Sequence, residues 1–182
     1  MINENIRVRF APSPTGYIHI GNTRTTLFNW LFARKNNGTF ILRIEDTDIE
    51  RSEDKYTKAL VEDLRWLGLD WDEGFDKGGE YGPYKQSERI NIYNRYIEEL
   101  KQKSLVYECY CTKEELEEKR QEQMKKGKMP KYDNLCRNLT QEQIQKYKDE
   151  GRKPVIRFKV PEEEVVVEDI IRGNVKFNSF VI

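Results

Sequence analysis

Long apolar runs, histidine and cysteine are all scarce in this 182-residue sequence. No apolar stretch approaches the roughly 20 residues that a membrane-spanning helix needs, and the mean hydropathy is −0.87; together these exclude an integral membrane protein. The first residues lack the basic and then apolar pattern of a secretory signal peptide. Three cysteines are too few for a disulfide scaffold. These absences predict a folded, cytoplasmic protein with no membrane partner.

Net charge is also absent, because 32 basic and 32 acidic side chains cancel. The charges are nevertheless segregated along the chain. Residues 41–76 carry 12 acidic and 5 basic side chains, a balance of −7, whereas residues 119–137 carry 7 basic and 2 acidic ones, a balance of +5. A basic segment of this kind is either a solvated helix face or a surface for a polyanion.

Strand and helix patterns alternate over the first hundred residues. Period-two and helical spacings predict, in order, a strand over 6–11, a tight Pro/Gly loop over 12–16, a helix over 21–34, a strand over 40–44 and a helix over 54–67. This order is typical of an α/β fold with parallel strands joined by helical crossovers. A Gly/Asp-rich stretch over 68–83 indicates a long surface loop. The helix that opens at Ser87 carries an apolar stripe that we expect to pack in the core: Tyr93, Tyr96, Ile97 and Leu100.

The pattern changes after Ser104, which places a predicted domain boundary between 1–104 and 105–182. The second segment predicts two helices opened by capping boxes at Thr112 and Thr140, and strands over 105–111, 155–160, 164–170 and 174–181. It is therefore expected to be a smaller α+β domain. Because two parallel strands are too few for an open sheet and the chain stops on apolar residues, we expect an N-terminal fragment with the sheet completed elsewhere.

The segment from Arg7 to Asn22 predicts an anion site. It combines a strand, a loop of small residues and a helix N-terminus, where backbone N–H groups and the helix dipole favour negative charge. Gly21 lets a phosphate approach the backbone closely. His19, the single histidine, stands just before the helix, where it either donates to a phosphate oxygen or fills a core position.

These residues resemble the start of a class I glutamyl-tRNA synthetase, with His19-Ile20-Gly21-Asn22 standing where the class has its HIGH motif. The similarity continues in register through later motifs: Arg43-Ile44-Glu45-Asp46-Thr47-Asp48, Trp66-Leu67-Gly68-Leu69, Gly82-Pro83-Tyr84-Lys85-Gln86-Ser87-Glu88-Arg89, Tyr110-Cys111-Thr112 and Val155-Ile156-Arg157-Phe158-Lys159-Val160-Pro161. The resemblance implies the N-terminal half of a Rossmann-like catalytic domain followed by a connective, tRNA-binding region.

The resemblance also implies roles for individual residues. The catalytic pair is His19 and Gly21, and the expected contacts to ATP, carried with Mg²⁺, are Pro12, His19, Gly21 and Asn22. The expected glutamate-binding residues are Arg9, Ala11, Ser13 and Glu45. The chemistry of Arg9 and Glu45 is consistent with these roles. A guanidinium can form paired hydrogen bonds with the side-chain carboxylate of glutamate, and a carboxylate provides the counter-charge for its ammonium group. The alternatives are an exposed edge-strand face for Arg7 and Arg9, and a solvated turn or a metal cluster for the acidic residues at 45, 46, 48 and 50.

Cysteine spacing raises a zinc hypothesis. Cys109 and Cys111 are two apart on a predicted strand and therefore face one side, as zinc ligands can. Some members of the family carry zinc here with a later cysteine, which Cys136 matches. Tyr132 matches a zinc-liganding tyrosine of the glutamyl-queuosine relatives, whereas Asn138 would be a poor ligand. The alternative is three reduced thiols.

The resemblance implies three partners, namely L-glutamate, ATP and the acceptor arm of tRNA. The expected tRNA contacts are Lys125, Lys126, Lys128 and Arg51. The expected function is activation of glutamate to glutamyl-adenylate and its transfer to the 3′ end of tRNA. Alternatives are a glutamyl-queuosine tRNA synthetase, a small-molecule nucleotidylyltransferase with a similar ATP loop, or a non-catalytic tRNA-binding module. Because the sequence has no lysine-rich KMSKS-type loop, we expect these 182 residues to be inactive alone.

Overall fold

The computed structural model describes residues 6–178. The chain divides into two compact units, Met1–Asn94 and Arg95–Ile182. The helices and strands, in chain order, are β1 (Arg7–Phe10), α1 (Ile20–Lys35), β2 (Thr39–Leu42), α2 (Asp54–Trp66), β3 (Glu73–Gly74), α3 (Ile90–Gln102), β4 (Val106–Cys109), α4 (Lys113–Lys125), α5 (Gln141–Asp149), β5 (Val155–Phe158), β6 (Glu164–Asp169) and β7 (Gly173–Asn178), with 3-10 helices at Gln86–Arg89 and Leu135–Asn138.

The first unit contains a parallel sheet in the order β1-β2-β3. Arg9 pairs with Ile41 in this sheet, and Ile41 pairs with Glu73. The alternate positions Phe10, Phe40 and Leu42 of β1 and β2 carry large apolar side chains. They pack into one core with Ala33 of α1, Leu60 and Leu64 of α2, and the buried residues Ile44, Leu69 and Trp71. Strand alternation therefore gives the sheet one apolar face and one face that carries arginines and glutamates. The expectation of an α/β fold is confirmed.

The segment 68–83 differs from the predicted surface loop. Leu69 and Trp71 are buried in the core, and Glu73–Gly74 forms the third parallel strand. The Trp71 indole donates to Asp76 at 2.8 Å, which satisfies its buried N–H. A two-residue strand is too short to show a periodic pattern, and the Gly/Asp-rich composition concealed the apolar anchors.

The apolar stripe of α3 is a second difference. No residue of α3 is buried, and Tyr96 is half exposed, so the prediction of core packing for this stripe was wrong within the described residues. The other three residues of the stripe, Tyr93, Ile97 and Leu100, are half-buried. The division between the two units lies inside this same helix, at Asn94 and Arg95.

The second unit combines helices with antiparallel strands. β4 pairs with β5, and β6 pairs with β7 in a separate hairpin. Both predicted capping boxes form, since Thr112 and Thr140 accept from the backbone N–H groups of Glu115 and Gln143. The predicted end of the last strand, beyond Asn178, lies outside the described residues. Within residues 6–178, no helix has the length and apolar character needed to span a bilayer.

Candidate functional site

The loop after β1 is held against the segment that follows β2. Pro12 and Pro14 are buried, and their carbonyl oxygens accept from the backbone N–H groups of Glu45 at 2.9 Å and Glu53 at 3.1 Å. Prolines have no N–H of their own, so their burial leaves no donor unpaired. Between them, Ser13 is exposed. The loop is therefore a fixed support for Ser13 at the carboxyl end of the sheet, the usual ligand edge of an open α/β sheet.

Arg9 lies on the polar face of this sheet with its side chain exposed. Its neighbour Arg7 is neutralised by two hydrogen bonds to Glu73, at 2.8 and 2.6 Å, which raise the pKa of Arg7 despite partial burial. Within the described residues no hydrogen bond or ion pair engages the guanidinium of Arg9. Of the two arginines on β1, Arg9 is thus the one available to an incoming carboxylate.

Glu45 lies on the same side of the sheet as Arg9. Beyond the end of β2, buried Ile44 forms a parallel bridge with Lys85, so the chain stays extended and alternation carries Arg43 and Glu45 onto the face of Ile41, the partner of Arg9. The Arg43 guanidinium donates to one oxygen of Glu45 at 2.5 Å, and both side chains are largely covered. A carboxylate accepts about four hydrogen bonds, so the second oxygen of Glu45 retains acceptor capacity. Sequence reasoning missed Arg43, although its position two residues before Glu45 was the signal that could have found it.

His19 forms the N-cap of α1. Its Nδ1 accepts from the backbone N–H of Gly21 at 3.1 Å, and its own backbone N–H donates to the Asn22 side chain at 3.4 Å. A neutral imidazole whose Nδ1 accepts carries its proton on Nε2. The exposed ring therefore presents an N–H donor at the positive end of the helix dipole.

Gly21 is required by this cap. A Cβ at position 21 would lie 2.9 Å from the His19 ring carbon Cε1 and 3.0 Å from Nδ1, so a larger residue would displace the ring. Asn22, predicted as an ATP contact, uses its Oδ1 to close the capping box. In the described part of the chain no hydrogen bond or ion pair joins His19 to Arg9 or Glu45. The structure brings Arg9 and Glu45 onto one face and shows His19 as a separate group at the start of α1.

The four residues predicted for a metal lie together in the second unit. The sulfurs of Cys109, Cys111 and Cys136 lie within 4.8 Å of one another. The Tyr132 hydroxyl is 3.2 Å from the Cys109 sulfur and 3.7 Å from that of Cys111, which is itself 3.6 Å from the Cys136 sulfur. Zn–S bonds of about 2.3 Å in a tetrahedron put sulfurs about 3.8 Å apart. These four side chains, which we call the cysteine cluster, offer three sulfurs and one hydroxyl oxygen within reach of a single metal ion.

Ionisation within the cysteine cluster is uneven. Burial alone would raise the pKa of the Cys109 thiol, but hydrogen bonds from Tyr132, the Cys111 backbone and Arg157 outweigh it and lower that pKa to about 7. Burial raises the pKa of Cys111 to about 12. Burial and the adjacent Cys109 sulfur also raise the pKa of the Tyr132 hydroxyl. One thiolate is therefore readily available, and a bound cation would favour ionisation of the others.

The four predicted tRNA contacts belong to two separate parts of the chain. Arg51 is ion-paired with Asp48 beside α2. Lys125 ends α4, and Lys126 follows it as the C-cap, 3.7 Å from Glu122. Lys128 is exposed two residues later. The three lysines share the end of one helix, whereas Arg51 belongs to the other unit and already has a counter-charge.

Comparison with known proteins shows extensive similarity. The family described as tRNA synthetases class I (E and Q), catalytic domain, matches residues 5–182. The chain is 57% identical to glutamate–tRNA ligase 1 of Caldicellulosiruptor saccharolyticus over 175 residues, which is 96% of this chain and 36% of that protein. It is 55% identical to glutamate–tRNA ligase of Bacillus subtilis over 179 residues, which is 98% of this chain and 37% of that protein.

Solved structures agree with this similarity. The crystal structure of a glutamate tRNA ligase from Elizabethkingia meningosepticum in complex with its amino acid superposes with a TM-score of 0.86 at 42% identity, covering 97% of this chain and 37% of that one. The synthetase from Elizabethkingia anophelis gives 0.88 at 41% identity, covering 98% of this chain and 38% of that one. The chain thus spans little more than a third of the length of these relatives. It belongs to the family of class I tRNA synthetases for glutamate and glutamine, within their catalytic domain.

Proposed function

We propose that this chain is the part of a glutamyl-tRNA synthetase that binds glutamate and ATP and contacts the acceptor end of tRNA. The observation that carries the proposal is the exposed guanidinium of Arg9, which has no hydrogen-bond or ion-pair partner within residues 6–178 and lies on the sheet face that also carries Glu45. The identity of 55% to 57% with glutamate–tRNA ligases over nearly the whole chain supports it.

Glutamate recognition follows from charge. Arg9 forms paired hydrogen bonds with the side-chain carboxylate of the amino acid, and planar guanidinium geometry favours a carboxylate over an amide. Glu45 receives the α-ammonium group on the oxygen that Arg43 leaves open. Ala11 and Ser13 line the approach, since a small half-buried residue and an exposed hydroxyl flank the buried Pro12.

ATP binding follows from the cap of α1. The Nε2–H of His19 donates to a phosphate oxygen, and Gly21 allows the phosphates to approach the helix start. Asn22 holds the cap and Pro12 holds the loop, so these two residues act by positioning. Magnesium accompanies ATP as its counter-ion. Positioned donors of this kind stabilise the charge that develops when the α-carboxylate of glutamate attacks the α-phosphate and pyrophosphate leaves.

The second unit, Arg95–Ile182, is assigned as the connective region that meets the acceptor arm. Lys125, Lys126 and Lys128 neutralise backbone phosphates, with binding that weakens as salt rises. The cysteine cluster is assigned as a structural zinc site. Zinc there would crosslink β4 to the 3-10 helix Leu135–Asn138 and so stiffen this unit.

The test uses the longer synthetase that carries this sequence. We expect glutamate-dependent exchange of pyrophosphate into ATP in the presence of tRNA, and transfer of glutamate to the 3′ end of glutamate tRNA. Transfer to the queuosine of aspartate tRNA instead would identify the alternative enzyme. Exchange that requires a small-molecule acceptor of the adenylyl group in place of an amino acid would identify a nucleotidylyltransferase. No ATP binding at all would leave only an RNA-binding module.

A further inference from the structure

Glu73 lies in the same row of the parallel sheet as Arg9. Arg9 pairs with Ile41, and Ile41 pairs with Glu73. Neighbouring strands lie about 4.8 Å apart, so the Cα atoms of Arg9 and Glu73 are separated by about 10 Å, with both side chains on the polar face. An extended arginine and an extended glutamate can bridge that distance. The register therefore places a carboxylate of the protein itself within reach of Arg9.

Glu73 nevertheless binds the other arginine of β1. Arg7 pairs with Thr39, which places it about 7 Å back along the strand from Arg9. The Arg7 guanidinium donates to both oxygens of Glu73, at 2.8 and 2.6 Å, and lies 4.6 Å from the centre of the Tyr81 ring. The more distant arginine thus holds the carboxylate, and within residues 6–178 no hydrogen bond or ion pair engages the arginine in register with it.

The loop that follows β3 adds two further restraints on Glu73. The hydroxyl of the buried Tyr84 donates to Oε2 of Glu73. A Cβ at position 79 would lie 2.7 Å from the same oxygen, so a residue larger than Gly79 would push the carboxylate aside. Only 16% of the Glu73 side chain remains exposed. Arg7, Tyr84 and the backbone at Gly79 therefore hold this carboxylate in one position.

Glu73 carries the same chemical group that Arg9 is assigned to bind. Its side-chain carboxylate and that of substrate glutamate offer the same pair of oxygens to a planar guanidinium. A tethered group has an effective concentration on the order of millimolar, so a released Glu73 would compete with glutamate for Arg9. An apparent Kd rises in inverse proportion to the fraction of molecules able to bind, so occupation of Arg9 in about four molecules of five would raise the Kd for glutamate about fivefold.

We propose that the hydrogen bonds from Arg7 and Tyr84 keep Glu73 away from Arg9, and so keep Arg9 open to the substrate. Arg7 and Tyr84 are positioning residues, which act on glutamate binding through Glu73 and do not touch the substrate. This inference rests on the proposed function, because it requires Arg9 to bind the side-chain carboxylate of glutamate. It adds a reason why only one of two arginines on the same face of β1 serves the substrate.

The test uses the longer synthetase that carries this sequence, and measures the KM values for glutamate and ATP by pyrophosphate exchange in the presence of tRNA. Arg7→Met keeps an apolar stem beside Tyr81 and removes both donors to Glu73. We expect it to raise the KM for glutamate at least about fivefold and to change the KM for ATP and kcat less than about twofold, because saturating glutamate displaces the internal carboxylate. Adding Glu73→Gln should return the KM for glutamate to within about twofold of the unaltered enzyme, since a neutral amide binds a guanidinium more weakly than a carboxylate does.

The matched control is Arg34→Met. Arg34 of α1 is ion-paired at 2.8 Å with Asp72, the residue before Glu73, so this variant removes a similar contact from the same segment without releasing Glu73. It should leave the KM for glutamate unchanged. Circular dichroism shows whether each variant is folded. If Arg7→Met is unfolded, Tyr84→Phe, which removes the other donor to Glu73, carries the test with an expected rise of at least about twofold that Glu73→Gln reverses.

The outcomes separate this inference from the proposed function. An unchanged KM for glutamate in Arg7→Met, a raised KM that Glu73→Gln does not lower, or an equal rise in Arg34→Met would overturn the inference and leave glutamate binding by Arg9 intact. An unaltered enzyme without glutamate-dependent exchange, or an Arg9→Ala variant with an unchanged KM for glutamate, would overturn the proposed function and the inference together.

Discussion

Replacing His19 by serine or by alanine separates two roles that the structure gives this side chain. Through Nδ1 the ring caps α1, and through Nε2 it presents a donor for phosphate. Serine is a good N-cap but is too short to reach a phosphate from that position. Alanine removes both the cap and the donor. The two variants should therefore differ in stability and agree in activity.

The expected magnitudes follow from these contacts. Loss of an N-cap costs about 1 kcal/mol, which corresponds to a fall of about 4–8 °C in Tm for a domain the size of the first unit. His19→Ala should show this fall and His19→Ser should show less than half of it. Loss of a hydrogen bond to a charged phosphate costs about 1.5–3 kcal/mol, or about 10- to 100-fold in kcat/KM for ATP. Both variants should show that loss.

Thermal unfolding of the chain, followed by circular dichroism, measures the first effect. Pyrophosphate exchange by the longer synthetase measures the second. Near-normal exchange by His19→Ser would refute the assignment of Nε2 to phosphate. Equal melting of His19→Ala and the unaltered chain would show that the ring does not support the helix.

Three further predictions concern other parts of the chain. Arg9→Ala should raise the KM for glutamate about 10- to 100-fold, since a charge-assisted pair is lost, and change the KM for ATP less than about twofold; equal effects on both would contradict the carboxylate role. Protein purified without chelator should contain about one equivalent of zinc by elemental analysis and Cys136→Ser less than about half, because structural zinc is held tightly; a zinc-free unaltered chain would dismiss the site. The hydrogen bond from Arg7, opposed by burial and assisted by the Tyr84 hydroxyl, lowers the pKa of Glu73 from its usual value of about 4.5. A carboxyl group whose pKa is lowered by folding stabilises the fold above about pH 4.5, and this stabilisation is lost as the pH falls through the lowered pKa. Glu73→Gln should therefore flatten the fall in Tm below about pH 4.5. An unchanged acid profile would show that the pair is not a source of stability.

Several features of the fold could be predicted from the chain because their causes are local. The helices after Thr112 and Thr140 begin at capping boxes whose donor and acceptor are three residues apart. The strand–loop–helix segment that leads to Gly21 could be predicted because the turn-forming residues of its loop, 12–16, are adjacent in the sequence. The short strand Glu73–Gly74 escaped prediction because its pairing with β2 joins residues more than thirty positions apart, and no local periodicity reports such a contact.

The sequence by itself determined the order of most elements, the family motifs and the types of side chain that could bind an acidic amino acid, a nucleotide or a metal. Only the tertiary structure decided which of these groups are available. It paired Arg7 with Glu73 and, among residues 6–178, left Arg9 without a partner. It also tied Glu45 to Arg43 and brought Tyr132 against two cysteines more than twenty residues away. The physical reason is that charge pairing and ligand geometry depend on distances of 3–4 Å in space, which are set by how strands and helices pack and not by separation along the chain.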